Sequence, residues 1–174
     1  VTDLLPSVTE LLSAAGLVGG EGFRFYTLEG RDRGTAVHLA TAFLDDRDLD
    51  WSSLDPSVVP RVRQYQRFLD VVQPDILAVE EEVVNASFGY IGHVDRRVRI
   101  HGVEAVLDLK SPSKAAWHAI QLSLYAAAYP RPMARFNLYL GDESYQLVQH
   151  RDPTDWTVAK AAITVASWRS RHGI

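Results

Sequence analysis

The stretch "GYIGHVDRRVRIHGVEAVLDLK", Gly89–Lys110, reads as two β-strands joined at His101-Gly102. A two-residue connection ending in glycine makes a tight hairpin. It sets Ile100 opposite Val103, so residue numbers across the pair sum to a constant and Asp95 is expected directly opposite Asp108. Side chains alternate between the faces of a strand. One face then carries Asp95, Asp108, Lys110, His93, Arg97 and Val106. The other carries Val94, Val98 and Ile100 against Leu109, Leu107, Ala105 and Val103, a core face on which Arg96 is the exception. Like charges directly opposite one another destabilise a sheet. The most economical reason for two carboxylates there is a divalent cation, typically held by one or two carboxylates with water and phosphate completing its shell. Lys110, two residues on, is then placed to meet a phosphate or a water. A register shifted by one residue would separate the aspartates and dissolve the pair.

Outward from the hairpin, "DILAVEEEVV" reads as the preceding strand. In it Glu80 and Glu82 share one face and Glu81 takes the other, and the loop "NASFG" leaves the register open, so parity does not choose among them. After Lys110 a helix-like run, "WHAIQLSLYAAA", puts Gln121 and Tyr125 one turn apart on one face. "ARFNLYL", "GDES" and "YQLVQH" form a second hairpin, and "DPTDWTVAKAAITVASWRSRH" a closing helix capped by Asp152 or Thr154. On the N-terminal side "PSVTELLSAAGLVGG" is a short helix capped by Ser7 or Thr9 and stopped at Gly16 or Gly19-Gly20, and "EGFRFYTLEGRD" is irregular. "RGTAVHLATAFLDD" and "DPSVVPRVRQYQRFLDVVQ" are two longer helices, the latter with Pro56 in its first turn and Pro74 past its end. The order α-α-α, β-β-β, α, β-β, α predicts an α/β (α+β) fold: a mixed sheet of about five strands flanked by helices.

The bulk properties narrow the chemistry. At 174 residues the chain reads as a single domain over 1–174. It has no cysteine, which excludes disulfides, thiolate metal sites and an iron–sulfur cluster. With no apolar run of membrane length and no signal-peptide pattern, a cytoplasmic location and no membrane partner are expected. The formal charge of −4 argues against a surface that attracts nucleic acid as a whole. Arg96, Arg97 and Arg99, with Arg31 and Arg33, can form a local phosphate-contacting rim or be solvated strand and loop charge. Tyr129, Trp117, Trp156 and Trp168 read as core or interface residues.

The residues resemble the PD-(D/E)XK nuclease superfamily, in particular its RecB-like and lambda-exonuclease-like branch with its small phage-type members. "RGTAVH" with His38, "VEEEV" with Glu80, "GHVD" with Asp95, "DLK" with Asp108 and Lys110, and "QLSLY" with Gln121 and Tyr125 stand in the order of that branch's signature, and "PSVTELL" is similar to its N-terminal helix. The likeness runs from about residue 5 to 130, and each motif alone is weak. It implies a restriction-endonuclease-like core and a deoxyribonuclease dependent on Mg²⁺ or Mn²⁺. By that likeness His38, Asp95, Asp108 and the carbonyl of Leu109 ligate the cation. Lys110 positions or deprotonates the attacking water, Glu80 assists, with Glu81 or Glu82 as substitutes under another register, and Gln121, Tyr125 and Arg33 hold the nucleic acid. DNA with a free end is the implied substrate, in recombination, repair or phage replication, with a partner protein from those processes. The alternative is a non-catalytic module binding DNA ends or protein on the same fold.

Overall fold

The computed structural model describes residues 5–18 and 28–174, with the side chains of 28–31 left aside. The stop at Gly19-Gly20, the irregular reading of residues 21–27 and the side chain of Arg31 lie outside the described residues. One five-stranded mixed sheet organises the rest, in the order β1 (Asp75–Asn85), β2 (Tyr90–Ile100), β3 (Val103–Lys110), β4 (Ala134–Leu140) and β5 (Tyr145–Gln149). Neighbours are antiparallel except β3 and β4, whose parallel pairing requires the crossover helix α4 (Trp117–Ala127). The other helices are α1 (Val8–Ala14), α2 (Leu28–Asp45), α3 (Val59–Val72) and α5 (Thr154–His172). The expected fold class and strand count are those observed. Among the described residues no helix is long and apolar enough to cross a membrane.

Local chemistry explains the boundaries. Ser7 caps α1 in a reciprocal capping box with Glu10. Asp152 accepts from the Thr154 backbone at 2.8 Å at the start of α5. Pro60, not Pro56, sits in the first turn of α3, because Asp55–Val58 form a turn of their own, closed by Val58 N donating to Asp55 O. Helix α2 begins at Leu28, five residues ahead of the sequence expectation. Gly30 and Gly34 lie inside it, and each weakens intrinsic helix propensity by about 1 kcal/mol relative to Ala.

Both faces of the sheet are core. Val98, Ile100, Ala105, Leu107 and Leu109 pack under α2 and α3 with Val37, Val62, Tyr65 and Phe68. On the other face Val83, Tyr90, Val94 and Val106 pack under α1, α4 and α5 with Leu12, Leu122, Leu124 and Tyr125. Two expectations are therefore corrected. The face holding Val106 is not polar but the floor of a second core, and Val94 belongs to it rather than to the Val98 face. Alternation breaks between Val94 and Arg96, where the β1–β2 ladder runs Val79↔Arg96 then Glu81↔Val94 and skips Glu80 and Asp95.

The β2 arginines, left open between a phosphate-contacting rim and solvated charge, are paired. Arg96 is fully buried and bonded to Asp45 at 2.5 Å, Thr41 at 3.0 Å and the Asp95 carbonyl at 2.7 Å. Arg97 pairs with Glu81 at 2.9 Å and Arg99 with Glu104 at 3.2 Å. Arg96 is thus matched by a carboxylate of α2 and Arg97 and Arg99 by carboxylates within the sheet, instead of all facing outward as a group. Of the tryptophans, Trp117 and Trp156 pack against the core, while Trp168 is 49% exposed.

Candidate metal and phosphate site

The hairpin has the expected register, from Ile100↔Val103 to Arg96↔Leu107, and there it stops. Asp95 does not pair with Asp108 through the backbone. Its carboxylate takes the next place in the ladder, accepting the Leu109 N–H at 2.6 Å. Beyond it β2 leaves β3, and Ile91 donates instead to Pro6 O at 3.1 Å. The two strands thus splay apart at the residues that carry charge, opening a crevice between the end of β3 and the first half of β2.

On the α2 side of this opening His38, Glu80 and Asp95 each offer one ligand atom within 4.8 Å of the others. His38 Nδ1 lies 3.6 Å from Asp95 Oδ1 and 3.9 Å from Glu80 Oε1. Adjacent ligands around a hexacoordinate ion at about 2.1 Å are about 3 Å apart, so small side-chain movements close the set on a cation. One imidazole and two carboxylates suit Mn²⁺ or Mg²⁺. Of the three glutamates left open in the sequence, Glu80 is the one that lies beside His38. Glu80 turns to His38 and Arg96, whereas Glu81 is taken by Arg97 and by the Tyr129 hydroxyl at 2.7 Å, and Glu82 lies by the exposed His93. Glu80 also has φ +50°, a conformation that L-residues other than Asn and Asp seldom adopt and that carries strain of order 1–3 kcal/mol.

On the α4 side stand Asp108, Lys110, Gln121 and Tyr125. The Asp108 carboxylate, 2% exposed, is held by Lys110 Nζ at 2.9 and 3.1 Å and by Asn137 Nδ2 at 2.9 Å. Its oxygens are not part of the three-ligand cluster, so the structure assembles His38 and Asp95 as expected but joins them with Glu80, leaving Asp108 beside them as a charge neighbour. Leu109 enters through its N–H. Gln121 Nε2 donates to the Tyr125 hydroxyl at 3.0 Å, and both side chains are buried. The glycine of "GHVD" has a packing reason. A Cβ on Gly92 would lie 2.8 Å from the Tyr125 ring, so only glycine lets that ring approach β2 so closely. Arg33 is not brought to the crevice; it lines a groove with Asp32, Asp55 and Ser57. A space of about 30 Å³, room for one water, lies beside His38, Leu109 and Lys110.

Electrostatics couple the two sides. Burial, then the charge of Asp108, pushes the Asp95 carboxyl up to about 6, against the pull of His38, Lys110 and the Leu109 N–H. Burial opposes a charge on His38, but Asp95, Glu80 and Asp108 outweigh it and raise its pKa. The His38 contact in turn lowers that of Glu80. Burial, then Asp108 and Asp95, holds the Tyr125 hydroxyl protonated well above its ordinary range. A cation at this cluster needs Asp95 ionised and His38 neutral, so it competes with protons on both. Mn²⁺ affinity measured by calorimetry is accordingly expected to fall roughly tenfold or more per pH unit below about 6, with proton release on binding. An affinity flat from pH 8 to 5 would dismiss Asp95 and His38 as ligands.

Sequence reasoning missed three participants. From the sequence Arg96 reads as an exception on a core face or as rim charge, and its partner Asp45 ends a helix 51 residues away. Asn137 is the one polar residue at an inward position of "ARFNLYL", a signal that gains meaning only when the parallel register sets it beside Asp108. His150 follows at 2.8 Å from Asn137. No protein-family model and no curated protein matches the chain. A solved structure described as "Crystal structure of SSO0001" is similar over 92% of this chain and 72% of that one, with 14% identity and a TM-score of 0.43.

Proposed function

We propose that this protein is a Mg²⁺- or Mn²⁺-dependent deoxyribonuclease that hydrolyses phosphodiester bonds at DNA ends, a cytoplasmic enzyme of recombination, repair or phage replication. The observation that carries the reading is the convergence, at one splay point of the sheet, of His38, Glu80 and Asp95 with Asp108, Lys110, Gln121 and Tyr125. These seven come from five separate elements, and a merely structural explanation would leave their charges to be neutralised singly, as the arginines of β2 are.

His38, Glu80 and Asp95 would hold the cation. When bound, it polarises a phosphodiester and acidifies a water. The chain supplies the rest. The Lys110 ammonium, oriented by Asp108 and lying 5.4 Å from the Trp117 ring centroid, faces the charge that grows on phosphoryl oxygens as the bond breaks, the kind of preorganised stabilisation that contributes most in a partly dry site. Tyr125, kept protonated, is a constant hydrogen-bond donor, and Gln121 fixes its hydroxyl. The net charge of −4 is compatible with this, since the cation neutralises the phosphate locally.

The test uses end-labelled linear single- and double-stranded DNA and a covalently closed circle, with Mn²⁺, Mg²⁺ or EDTA. An Asp108→Ala, Lys110→Ala double variant runs alongside. Metal-dependent loss of the linear DNAs, with the circle spared and the variant silent, is the expected result. Cutting of the circle would keep the chemistry and replace ends by internal sites. Equal inertness of both proteins on every substrate would overturn the reading in favour of a non-catalytic module.

A further inference from the structure

Behind Asp108 runs a hydrogen-bonded chain that leads across β4 to His150, just past the end of β5. Asn137, fully buried on β4 and paired in register with Asp108, donates Nδ2 to Asp108 Oδ2 at 2.9 Å. Its Oδ1 lies 2.8 Å from His150 Nε2, and His150 is tied to β4 by its own N–H on Arg135 O at 2.9 Å. The donor roles follow from chemistry. An ionised carboxylate only accepts, so the amide must present its NH₂ to Asp108. That leaves the amide oxygen toward His150, and the imidazole must therefore carry its proton on Nε2. A tautomer with the proton on Nδ1 would set two lone pairs against each other and free the amide to rotate.

The chain has work to do because Asp108 has a competing attraction and a competing repulsion. Lys110 touches both Asp108 oxygens, and the Asp108 charge disfavours ionisation of the neighbouring Asp95. A single donor from a rigid, buried amide picks one orientation of the carboxylate, and with it the place of the Lys110 ammonium. We propose that His150 and Asn137 are positioning residues: His150 locks the Asn137 amide, Asn137 orients Asp108, and Asp108 aims Lys110. This rests on the deoxyribonuclease reading for its catalytic consequence, although the relay itself is a statement about Asp108. His150 is faced by Asp108 from β3, Arg135 from β4, His118 from α4 and Asp155 from α5.

The test compares His150→Ala, which removes the donor, with His150→Gln, whose side-chain amide can reach Asn137 Oδ1 with an N–H. Two readouts are needed, the ¹³C shift of the Asp108 carboxyl, assigned with Asp108→Asn, and the single-turnover rate on linear DNA. The alanine variant is expected to move the carboxyl resonance and lower the rate about 10- to 100-fold, with DNA affinity unchanged, as loss of an orienting partner does. The glutamine variant should restore both. An Asp108 resonance indifferent to His150→Ala overturns the relay, whatever the rate. Equal losses in both variants, with a matching fall in melting temperature, also overturn it, in favour of plain packing. A resonance that shifts and is rescued in a protein inert on DNA sustains the relay and fails the nuclease reading instead.

Discussion

Replacing Lys110 by methionine is expected to lower single-turnover cleavage of linear DNA about 10²- to 10³-fold at saturating Mn²⁺, the usual consequence of removing one donor aimed at developing charge. The substitution keeps an apolar stem of similar length and deletes the ammonium that lies 5.4 Å from the Trp117 ring centroid. If Lys110 acts on the transition state alone, the rate constant falls while the DNA concentration giving half the maximal rate stays nearly constant. A mere phosphate-binding lysine would do the reverse. Asp108 loses an ion-pair partner but retains Asn137, so the fold should survive, and a melting curve alongside the kinetics checks that it does. Unchanged cleavage by Lys110→Met would remove this residue from the chemistry.

The largest stability effect is expected at Asp45, which no motif singles out. Its carboxylate is 2% exposed, accepts from Arg96 Nε at 2.5 Å and receives the Tyr65 hydroxyl at 2.9 Å. The Arg96 guanidinium it neutralises is wholly buried, 5.7 Å from the Tyr65 ring centroid, and remains protonated in any folded state. Asp45→Ala leaves that charge without its main partner, which costs about 3–5 kcal/mol, a large share of the 5–15 kcal/mol that holds an ordinary domain together. Urea unfolding reads it directly. Replacing both partners, Asp45→Leu with Arg96→Met, is expected to recover much of the loss, because no uncompensated charge then remains. A loss below about 1 kcal/mol for Asp45→Ala would mean that water reaches Arg96. The same change bears on the crevice, since Arg96 also bonds the Asp95 carbonyl and lies 3.4 Å from Glu80.

Much of the architecture was legible because it depends on short-range chemistry. The His101-Gly102 turn, with φ +49° and +81° at its two residues, fixes the pairing from Ile100 to Arg96 whatever the rest of the chain does. Alternation along "VEAVLDLK" and the one-turn spacing of Gln121 and Tyr125 are equally local, and the structure brings these residues to one side of one crevice. Local rules failed where the sheet departs from regularity. They carried the hairpin past its last pair, through Asp95 and Asp108 to His93 and Lys110, and put Val94 on the wrong face, because a skipped pair opposite Glu80 is set by packing on both sides of the sheet and has no signature in either strand.

What the sequence by itself determined is therefore the class of fold, the order of its elements, the register of the central hairpin and a short set of charged residues at its open end. The tertiary structure alone decided which of them meet. It chose Glu80 among three glutamates, turned Asp108 toward Asn137, buried Arg96 against Asp45 and matched Arg97 and Arg99 with carboxylates of the sheet. Each of those outcomes joins residues far apart in the chain, across a parallel crossover or between layers. Coulomb energy and desolvation there depend on distances of a few ångströms that no periodicity along the chain encodes.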